Sequence, residues 1–302
     1  MNDHLLIIDP QVDFHPGGSL AIPTANADAL RIYSLLLRSC SSASNPASLS
    51  RVTVTLDTHH PYDIGHPSFW SVLNPDDPSQ SPHPPPPFTT ITAEDLAFGV
   101  VKPTDLSLEE YCLSYCRALE AGGRQKLTVW PEHCLLGTSG HNVVPDVAAG
   151  LRVWVDKQHS EALRRPSAPI ARAVAYVLKG TDPLAEMYSC MASEVPSPSG
   201  AGAFDVPLLR SLSSSLGGRS GTGRLLVCGQ ASSHCVAASV RDILSRWGDV
   251  AEEGVGVERI VILKDCMSAV PGFEDEASKF FEECKERRVT VCDSTELYND
   301  II

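Results

Sequence analysis

Residues 225–244, LLVCGQASSHCVAASVRDIL, indicate both the fold and the chemistry of this chain. The apolar run LLVCG is followed by a turn of small polar residues and by a helical pattern that begins near Cys235. Apolar strands that lead into helices are typical of parallel sheets. The amino terminus of a helix carries partial positive charge and free N–H groups, which lower the pKa of a thiol. Cys235 is therefore the first candidate nucleophile, although cysteines are also common as buried core residues.

Short apolar runs alternate with helical patterns along the rest of the chain. Several runs are apolar throughout, as expected of strands that are buried on both faces of a parallel sheet. The alternation predicts a three-layer α/β fold with a doubly wound, mostly parallel sheet of about six strands. The candidate strands are residues 4–8, 52–56, 152–155, 175–178, 225–229, 259–263 and 289–292, and the candidate helices are residues 25–39, 107–121, 234–247 and 274–287.

Three stretches interrupt this alternation and have compositions that bury little surface. Residues 73–92 are rich in Pro, residues 158–172 are mixed, and residues 194–223 are rich in Ser and Gly. We predict that they are surface insertions in a single domain that comprises residues 1–302. The sequence contains no internal repeat and no indication of a second core.

Composition and charge restrict the partners and the location of the protein. The chain has 37 acidic and 24 basic residues and a formal net charge of −13, which argues against a nucleic-acid or anionic-membrane partner. No apolar run approaches the ~20 residues needed to cross a bilayer, and the amino terminus lacks the basic region of a secretory signal. The 10 cysteines include no Cys-x-x-Cys pair, which indicates reduced thiols. We therefore expect a cytoplasmic protein.

Polar side chains follow four of the candidate strands at their carboxyl ends, which is where open parallel sheets bind ligands. A lone Asp after a strand is also typical of a turn, and a Lys is usually solvated, so each residue alone has a structural explanation. Together they predict one site that contains acids, an imidazole, an amine and a thiol. These residues are Asp9, Asp57, His59, Lys179 and Cys235.

Asp57 and His59 are two residues apart in an extended segment, so their side chains share a face and can bind one cation. The best third ligand is His133, in the loop sequence WPEHC. His66 is a candidate fourth or outer-shell ligand. Two imidazoles and one carboxylate suit Zn²⁺, Fe²⁺ or Mn²⁺, and the sequence does not choose among these metals.

Five ordered segments of the chain resemble the nicotinamidases, within the isochorismatase-like cysteine hydrolases. The resemblance implies hydrolysis of nicotinamide to nicotinate and ammonia through a cysteine thioester, in NAD salvage. It also implies one divalent metal ion, most often zinc, and frequent assembly into homo-oligomers. The segments are DPQVDFHPGGSL (9–20), DTHHPYDIGHPSFW (57–70), WPEHCLLGTSG (130–140), KGTDPLAEMYS (179–189) and GQASSHCV (229–236).

The resemblance implies a role for each residue that matches the family. Cys235 is the implied nucleophile, Asp9 the acid/base and Lys179 the cation that stabilises the thiolate. Lys157 is a rival for this lysine because it also follows an apolar run, but only Lys179 lies in a matching segment. The implied metal ligands are Asp57, His59 and His133, and the implied substrate-binding residues are Phe14, Gln11, Trp70, Tyr188 and Ala231.

The resemblance also implies details of the turn that precedes Cys235. The family has a cis peptide in this turn, which here joins Gln230 to Ala231. Backbone N–H groups near Ala231 and Cys235 are then expected to receive the oxyanion. His234 departs from the family pattern, and it is either part of the site or a helix-start residue that points to solvent.

Three alternatives to a nicotinamidase remain open. A related amidohydrolase that acts on pyrazinamide, or on a carbamoyl or ureido compound, has the same reactive groups. The metal triplet together with Phe14 and Trp70 favours a substrate with a flat pyridine-like ring over the open-chain carbamoyl and ureido compounds. A metal-free isochorismatase would lack the metal ligands that this sequence contains. A catalytically inactive binding protein would not require the nucleophile Cys235 or its partners Asp9 and Lys179.

Overall fold

The computed structural model describes residues 2–40, 48–73, 81–122, 126–164, 173–197 and 200–297. Helices and strands alternate along these ranges. The helices are α1 (Ala25–Cys40), α2 (Ala93–Ala97), α3 (Glu109–Gly122), α4 (Pro145–Arg164), α5 (Val206–Ser214), α6 (Cys235–Val250) and α7 (Glu274–Glu286). The strands are β1 (Asn2–Ile8), β2 (Ser48–Asp57), β3 (Trp70–Val72), β4 (Thr90–Ile91), β5 (Val101–Pro103), β6 (Leu127–Thr128), β7 (Ala175–Lys179), β8 (Leu225–Gly229), β9 (Ile260–Leu263) and β10 (Thr290–Cys292).

Six of the strands form a central parallel sheet in the order β10-β9-β8-β1-β2-β7. Strands β2 and β7 extend the sheet on one side of β1, and the later strands β8, β9 and β10 extend it on the other side. The order therefore reverses between β1 and β8, where Ile8 lies opposite Gly229. Sheets of this kind bind ligands at the carboxyl ends of their strands, at the point of reversal. The predicted α/β fold with a doubly wound parallel sheet is confirmed.

Helices cover both faces of this sheet and divide its apolar side chains into two clusters. Helices α1 and α4 pack on one face, where Trp154 is buried with Ile7 of β1. Helices α5, α6 and α7 pack on the other face, where Trp247 is buried in the same cluster as Leu6. Successive residues of a strand point to opposite faces, so β1 contributes to both clusters. Among the described residues, no helix combines the length and the apolar character needed to span a membrane.

The prediction of a strand at residues 152–155 is wrong, because these residues lie in the middle of helix α4. The buried side chains of Leu151 and Trp154 are three residues apart, which places them on one face of a helix. That face packs in the same cluster as α1. Gly150 permits this close approach, since a Cβ atom there would lie 2.9 Å from Leu36 Cδ1. Packing against α1 therefore overrides the β propensity of the sequence RVWV.

The predicted surface insertions contain more regular structure than their composition indicates. Residues 158–164 belong to helix α4, and residues 206–214 form helix α5. Leu209 and Leu212 of α5 are fully buried in the cluster that contains α6. The surface assignment is therefore wrong for α5. The parts of the three stretches that lie outside the described residues are 74–80, 165–172, 198 and 199.

A third apolar cluster involves residues outside the six-stranded sheet, where the sequence indicated no second core. It is formed by α3 together with two small antiparallel pairs, β3 with β5 and β4 with β6. Phe69, Trp70 and Tyr115 lie in this cluster and are almost completely buried. Ile64, Phe69 and Trp70 therefore anchor residues 57–70, which contain two of the predicted metal ligands, in this cluster. That residues 1–302 form a single domain stays a prediction.

Candidate active site

The candidate nucleophile lies at the carboxyl end of the central sheet. Cys235 is the first residue of α6 and follows the turn after β8. Backbone hydrogen bonds shape this turn: Gln230 N donates to Ile8 O at 2.8 Å, and Val236 N donates to Ala231 O at 3.1 Å. The peptide bond between Gln230 and Ala231 is cis, as the resemblance implies. The thiol is therefore held at a fixed position in a nearly buried site.

Lys179 connects the thiol to the acidic groups of neighbouring strands. It ends β7, and its fully buried Nζ lies 3.0 Å from Asp9 Oδ2, 2.8 Å from Asp57 Oδ1 and 3.6 Å from Cys235 Sγ. It also donates to Met187 O at 2.9 Å. Burial alone would lower the pKa of Lys179, but Asp57 and Asp9 outweigh it and hold the pKa well above its ordinary value. Lys179 is therefore a permanent buried cation beside the thiol.

Asp9 directly follows β1 and has no exposed surface. Its φ angle of 43° is uncommon for a residue other than glycine, and such conformations cluster at functional sites. Thr55 Oγ1 donates to Asp9 Oδ1 at 2.5 Å and accepts from Asp9 N at 3.1 Å. Burial raises the pKa of Asp9, while Lys179 opposes this effect. A carboxyl whose pKa is raised in this way can both accept and return a proton.

The environment of Cys235 differs from the expectation that a helix terminus lowers the pKa of its thiol. Burial raises the pKa of Cys235 well above its ordinary value, although Lys179 acts in the opposite direction. The negative charges of Asp9 and Asp57 raise the pKa further. Together these effects outweigh Lys179 and favour the protonated thiol over the thiolate.

Three side chains converge at the predicted metal site. Asp57 Oδ2 lies 3.2 Å from His59 Nε2 and 3.4 Å from His133 Nε2. His66 Nε2 lies 3.4 Å from His133 Nδ1, and the buried His66 Nδ1 has no hydrogen-bond partner among the described residues. Nitrogen atoms of the three histidines all lie within 4.8 Å of one another. This set of imidazole and carboxylate donors fits one divalent cation.

Asp63, which the sequence interpretation did not assign, orients the metal-site histidine. Asp63 Oδ2 lies 3.1 Å from His59 Nδ1, and Asp63 Oδ1 accepts a hydrogen bond from Gly65 N at 3.1 Å. A carboxylate on one ring nitrogen leaves the other nitrogen free to bind a metal. His59 therefore presents Nε2 toward Asp57. The sequence signal for Asp63 is its spacing of four from His59, but a spacing alone does not distinguish it from a solvated acid.

Two residues that were candidates for the site have other positions. Gln11, predicted to bind substrate, is fully buried, and its side-chain amide is bound by backbone groups. Its Nε2 donates to Asp57 O at 2.8 Å and to His141 O at 3.0 Å, and its Oε1 accepts from Asp57 N at 2.7 Å. Gln11 therefore positions Asp57 rather than contacting a ligand. Lys157, the rival lysine, lies on α4 and donates to Ser39 O at 3.1 Å.

A cavity lies beside Cys235 and the predicted metal ligands. The structure places Phe14, Tyr188 and Ala231 on its wall, as expected, together with Trp130. Aromatic walls with a few convergent polar groups are typical of small-molecule sites. That these side chains contact a substrate stays a prediction.

The expectation that Trp70 forms a wall of this cavity is wrong. Its ring is fully buried in the third apolar cluster against Phe69, and its Nε1 donates to Ile64 O at 2.8 Å. Trp130 lines the cavity instead, and its Nε1 donates to Tyr188 Oη at 2.9 Å. Both tryptophans lie in matching segments of the sequence, so only the packing decides which ring faces the cavity.

Two further polar side chains line the cavity. Glu186 is buried, its Oε1 has no hydrogen-bond partner among the described residues, and burial raises its pKa to about 8. His234 is also buried and does not point to solvent. Its Nδ1 lies 2.8 Å from Ser233 Oγ, its ring meets Trp130 and Phe273 edge-on, and burial lowers its pKa to about 4. His234 is therefore a neutral part of the cavity wall at pH 7.

Comparisons with known proteins agree with this fold. No protein-family model and no curated protein sequence matches the chain. Solved structures match over almost its whole length. A nicotinamidase/pyrazinamidase of Acinetobacter baumanii is 19% identical with a TM-score of 0.57, covering 98% of both chains. The yeast nicotinamidase Pnc1p is 18% identical with a TM-score of 0.55, covering 96% of this chain and 99% of its own.

A third similar structure is PnC1 from L. infantum in complex with nicotinate. It is 21% identical with a TM-score of 0.51, and the match covers 97% of this chain and 93% of that protein. The chain therefore has the three-layer α/β fold of these nicotinamidases. At these identities the likeness establishes the fold, and the activity has to be argued from the side chains of the site.

Proposed function

We propose that this protein is a metal-dependent amidohydrolase that converts nicotinamide to nicotinate and ammonia and acts in NAD salvage. The observation that carries this proposal is the position of Lys179 Nζ between Asp9, Asp57 and Cys235, beside the cavity that Asp57 and Cys235 line. A buried acid and a thiol that both contact one buried cation supply the base, the charge stabilisation and the nucleophile that amide hydrolysis requires.

The proposed reaction begins when Asp9 accepts the proton of the Cys235 thiol, since both side chains contact Lys179 Nζ. The thiolate, stabilised by Lys179, attacks the carboxamide carbon. Backbone N–H groups at Ala231 and Cys235 receive the developing oxyanion. Protonated Asp9 then gives its proton to the leaving ammonia, and a thioester remains on Cys235. Water, deprotonated by Asp9, hydrolyses this thioester and releases nicotinate and the free thiol.

Asp57, His59 and His133 would hold the divalent ion, with His66 beside them as a fourth donor. We propose zinc, because its preferred ligands are imidazole nitrogen and carboxylate oxygen, with iron and manganese as alternatives. When bound, the metal supplies an electron-pair acceptor for the ring nitrogen of the substrate. Asp63 and Gln11 support this role by orienting His59 and Asp57.

The walls of the cavity favour a flat aromatic ring over an open-chain ureido or carbamoyl compound. Phe14, Trp130 and Tyr188 present rings to the cavity, and only a few polar groups interrupt them. Aromatic side chains bind a planar ring by stacking or by edge-to-face contact. A ring held between these walls and the metal ligands would present its carboxamide to Cys235, since all of these groups line the same cavity.

The decisive experiment measures ammonia release from nicotinamide, pyrazinamide and a ureido compound, with metal analysis of the same sample. We expect release from the two aromatic amides, kcat/KM at least about tenfold lower for the ureido compound, and about one metal ion per chain. A Cys235→Ala preparation, purified identically, controls for contaminating amidases. Release from the ureido compound alone, or equal release by the variant, would show that the proposed function is wrong.

A further inference from the structure

Asp28 is a buried acid that takes no part in the reaction described above. It lies on α1, is 3% exposed, and directs its carboxylate toward the turn that precedes Cys235. Asp28 Oδ2 accepts hydrogen bonds from Gln230 Nε2 at 2.9 Å and from Ser268 Oγ at 2.6 Å. Burying a carboxylate is costly unless such donors compensate it. Its other oxygen, Oδ1, accepts from the half-exposed Arg31 Nη1 at 3.3 Å, so Asp28 Oδ2 is the atom that binds the turn and the loop beside it.

Gln230, the residue directly before Ala231, is fixed from several sides. Its Oε1 accepts from Ser268 N at 3.3 Å, and its backbone N–H donates to β1 at Ile8 O. Ser232, two residues after Gln230, is also bound to the same loop, since its backbone N–H donates to Ser268 O at 2.9 Å. Asp28 thus joins α1, the loop after β9 and the turn into one hydrogen-bonded unit.

We propose that Asp28, acting through Gln230 and Ser268, is a positioning residue that sets where the N–H groups of Ala231 and Cys235 receive the oxyanion. This inference rests on the proposed amidase function. Oxyanion donors act mainly in the transition state, so a displaced turn lowers kcat more than it raises KM. A purely structural acid would instead lower the stability and leave both kinetic constants unchanged.

The test compares three variants that differ in which hydrogen bonds they remove. Asp28→Ala removes the acceptor of both hydrogen bonds, whereas Asp28→Asn retains an oxygen that can accept them. Asp3→Ala is the matched control, because Asp3 is also fully buried but lies at the opposite end of β1. Asp3 accepts from the backbone N–H of Arg224 at 2.9 Å and from its guanidinium at 2.8 Å. Removing either acid lowers the melting temperature, but only Asp28 contacts the turn.

We expect Asp28→Ala to lower kcat for nicotinamide by about 10–100-fold with KM within about threefold. Asp28→Asn should stay within about threefold of the native kcat, and Asp3→Ala should leave kcat unchanged below its melting temperature. The aldehyde analogue of nicotinamide, which adds reversibly to a thiol and places an oxygen at the oxyanion position, should lose affinity for Asp28→Ala in proportion to kcat. Equal kcat values in Asp28→Ala and Asp3→Ala would overturn the proposal.

Two further experiments test the proposal if Asp28→Ala does not fold or if the native protein is inactive. If Asp28→Ala does not fold, Ser268→Ala removes one of the two donors to Asp28 Oδ2, and we expect a loss in kcat of about 3–10-fold with KM unchanged. If the native protein hydrolyses no amide, the proposed function fails, and the alkylation rate of Cys235 by iodoacetamide tests the positioning alone. Alkylation should then be at least about fivefold slower in Asp28→Ala than in Asp3→Ala. Equal rates would contradict the positioning role.

Discussion

Strand β1 buries ionisable side chains at both of its ends, and the two ends differ in how these groups are satisfied. At the amino end, Asp3 accepts hydrogen bonds from Arg224. The neighbouring His4 lies 2.8 Å from Thr53 Oγ1 and 2.7 Å from Ser215 Oγ, so both of its ring nitrogens have partners. Polar groups that are paired in this way contribute to stability and to the register of the strands.

At the carboxyl end of β1, the polar groups are not paired one to one. Lys179 is shared between Asp9, Asp57 and the thiol, and the buried atoms His66 Nδ1 and Glu186 Oε1 have no hydrogen-bond partner among the described residues. These groups adjoin the cavity beside Cys235. Burial of charge therefore does not by itself mark a functional site. Buried polar groups that are incompletely paired next to a cavity do mark such a site, because a ligand or metal can supply the missing partners.

The largest expected effect that distinguishes the two ends is that of Cys235→Ala. Ammonia release should fall by about 10⁴-fold or more, because the nucleophile is lost. Nicotinamide binding, measured by calorimetry, should stay within about threefold, since the cavity walls and the metal ligands remain. Loss of binding equal to the loss of turnover would contradict a purely nucleophilic role for Cys235.

Replacing the cation at each end of β1, Lys179 at the carboxyl end and Arg224 at the amino end, should distinguish a loss of activity from a loss of stability. Lys179→Met leaves two buried carboxylates without their partner, and we expect kcat to fall roughly 10³-fold and the free energy of unfolding to fall by about 3 kcal/mol. Arg224→Met at the amino end should lower stability by a smaller amount, because its side chain is 23% exposed, and it should leave kcat unchanged. The two variants are compared by their kcat values and by their free energies of unfolding, measured in urea. A normal kcat in Lys179→Met would remove the basis of the proposed mechanism.

Metal removal should affect the carboxyl end alone. After treatment with a chelator, KM for nicotinamide should rise by about 10–100-fold with a smaller change in kcat, as expected when an interaction with the ground state is lost. Restoring zinc should restore KM. Asp63→Asn, which weakens the orientation of His59, should lower the affinity for the metal, measured by competition with a chromophoric chelator. Unchanged kinetics in fully metal-free protein would show that the metal does not bind substrate.

The smallest functional effect is expected at His4, where protonation should change stability only. Burial, and then the charge of Arg51, lowers the pKa of His4 from 6.5 to about 3 in the folded protein. The unfolded chain therefore binds more protons between these pH values. The stabilisation from neutral His4 is complete above pH 6.5 and is lost as the pH falls toward 3, by about 1.4 kcal/mol per pH unit.

His4→Gln should remove this contribution to the pH dependence. Its free energy of unfolding should fall less steeply than that of the native protein between pH 6 and pH 4, in urea titrations at fixed ionic strength. Ammonia release at pH 7.5 should be the same in both proteins. An identical slope would show that folding does not lower the pKa of His4.

Much of the fold could be predicted because the strand and helix signals are local. The apolar runs at β1, β8 and β9 are short and unbroken, and each is followed by a turn and a helical pattern. The errors occur where long-range packing opposes local propensity. Residues 152–155 have β-branched and aromatic side chains but pack as a helix on α1, and α5 has a Ser-rich sequence but buries two leucines.

The candidate site could be predicted in its reactive groups and less well in its walls. Asp9, Lys179 and Cys235 each follow a strand of the sheet, so the parallel topology alone brings them to one edge. Trp70 and Trp130 cannot be distinguished in this way, because both lie in connecting segments whose directions depend on the third apolar cluster.

By itself, the sequence determined the parallel sheet, the edge at which the reactive side chains meet, and the chemical types of those side chains. These features depend on periodicity and on position along a strand, which are properties of neighbouring residues. The tertiary structure decided the raised pKa of Cys235, the supporting contacts of Gln11, Asp28 and Asp63, and the choice of Trp130 over Trp70. Burial and hydrogen bonding between distant segments set these properties, and they arise only when the chain is packed.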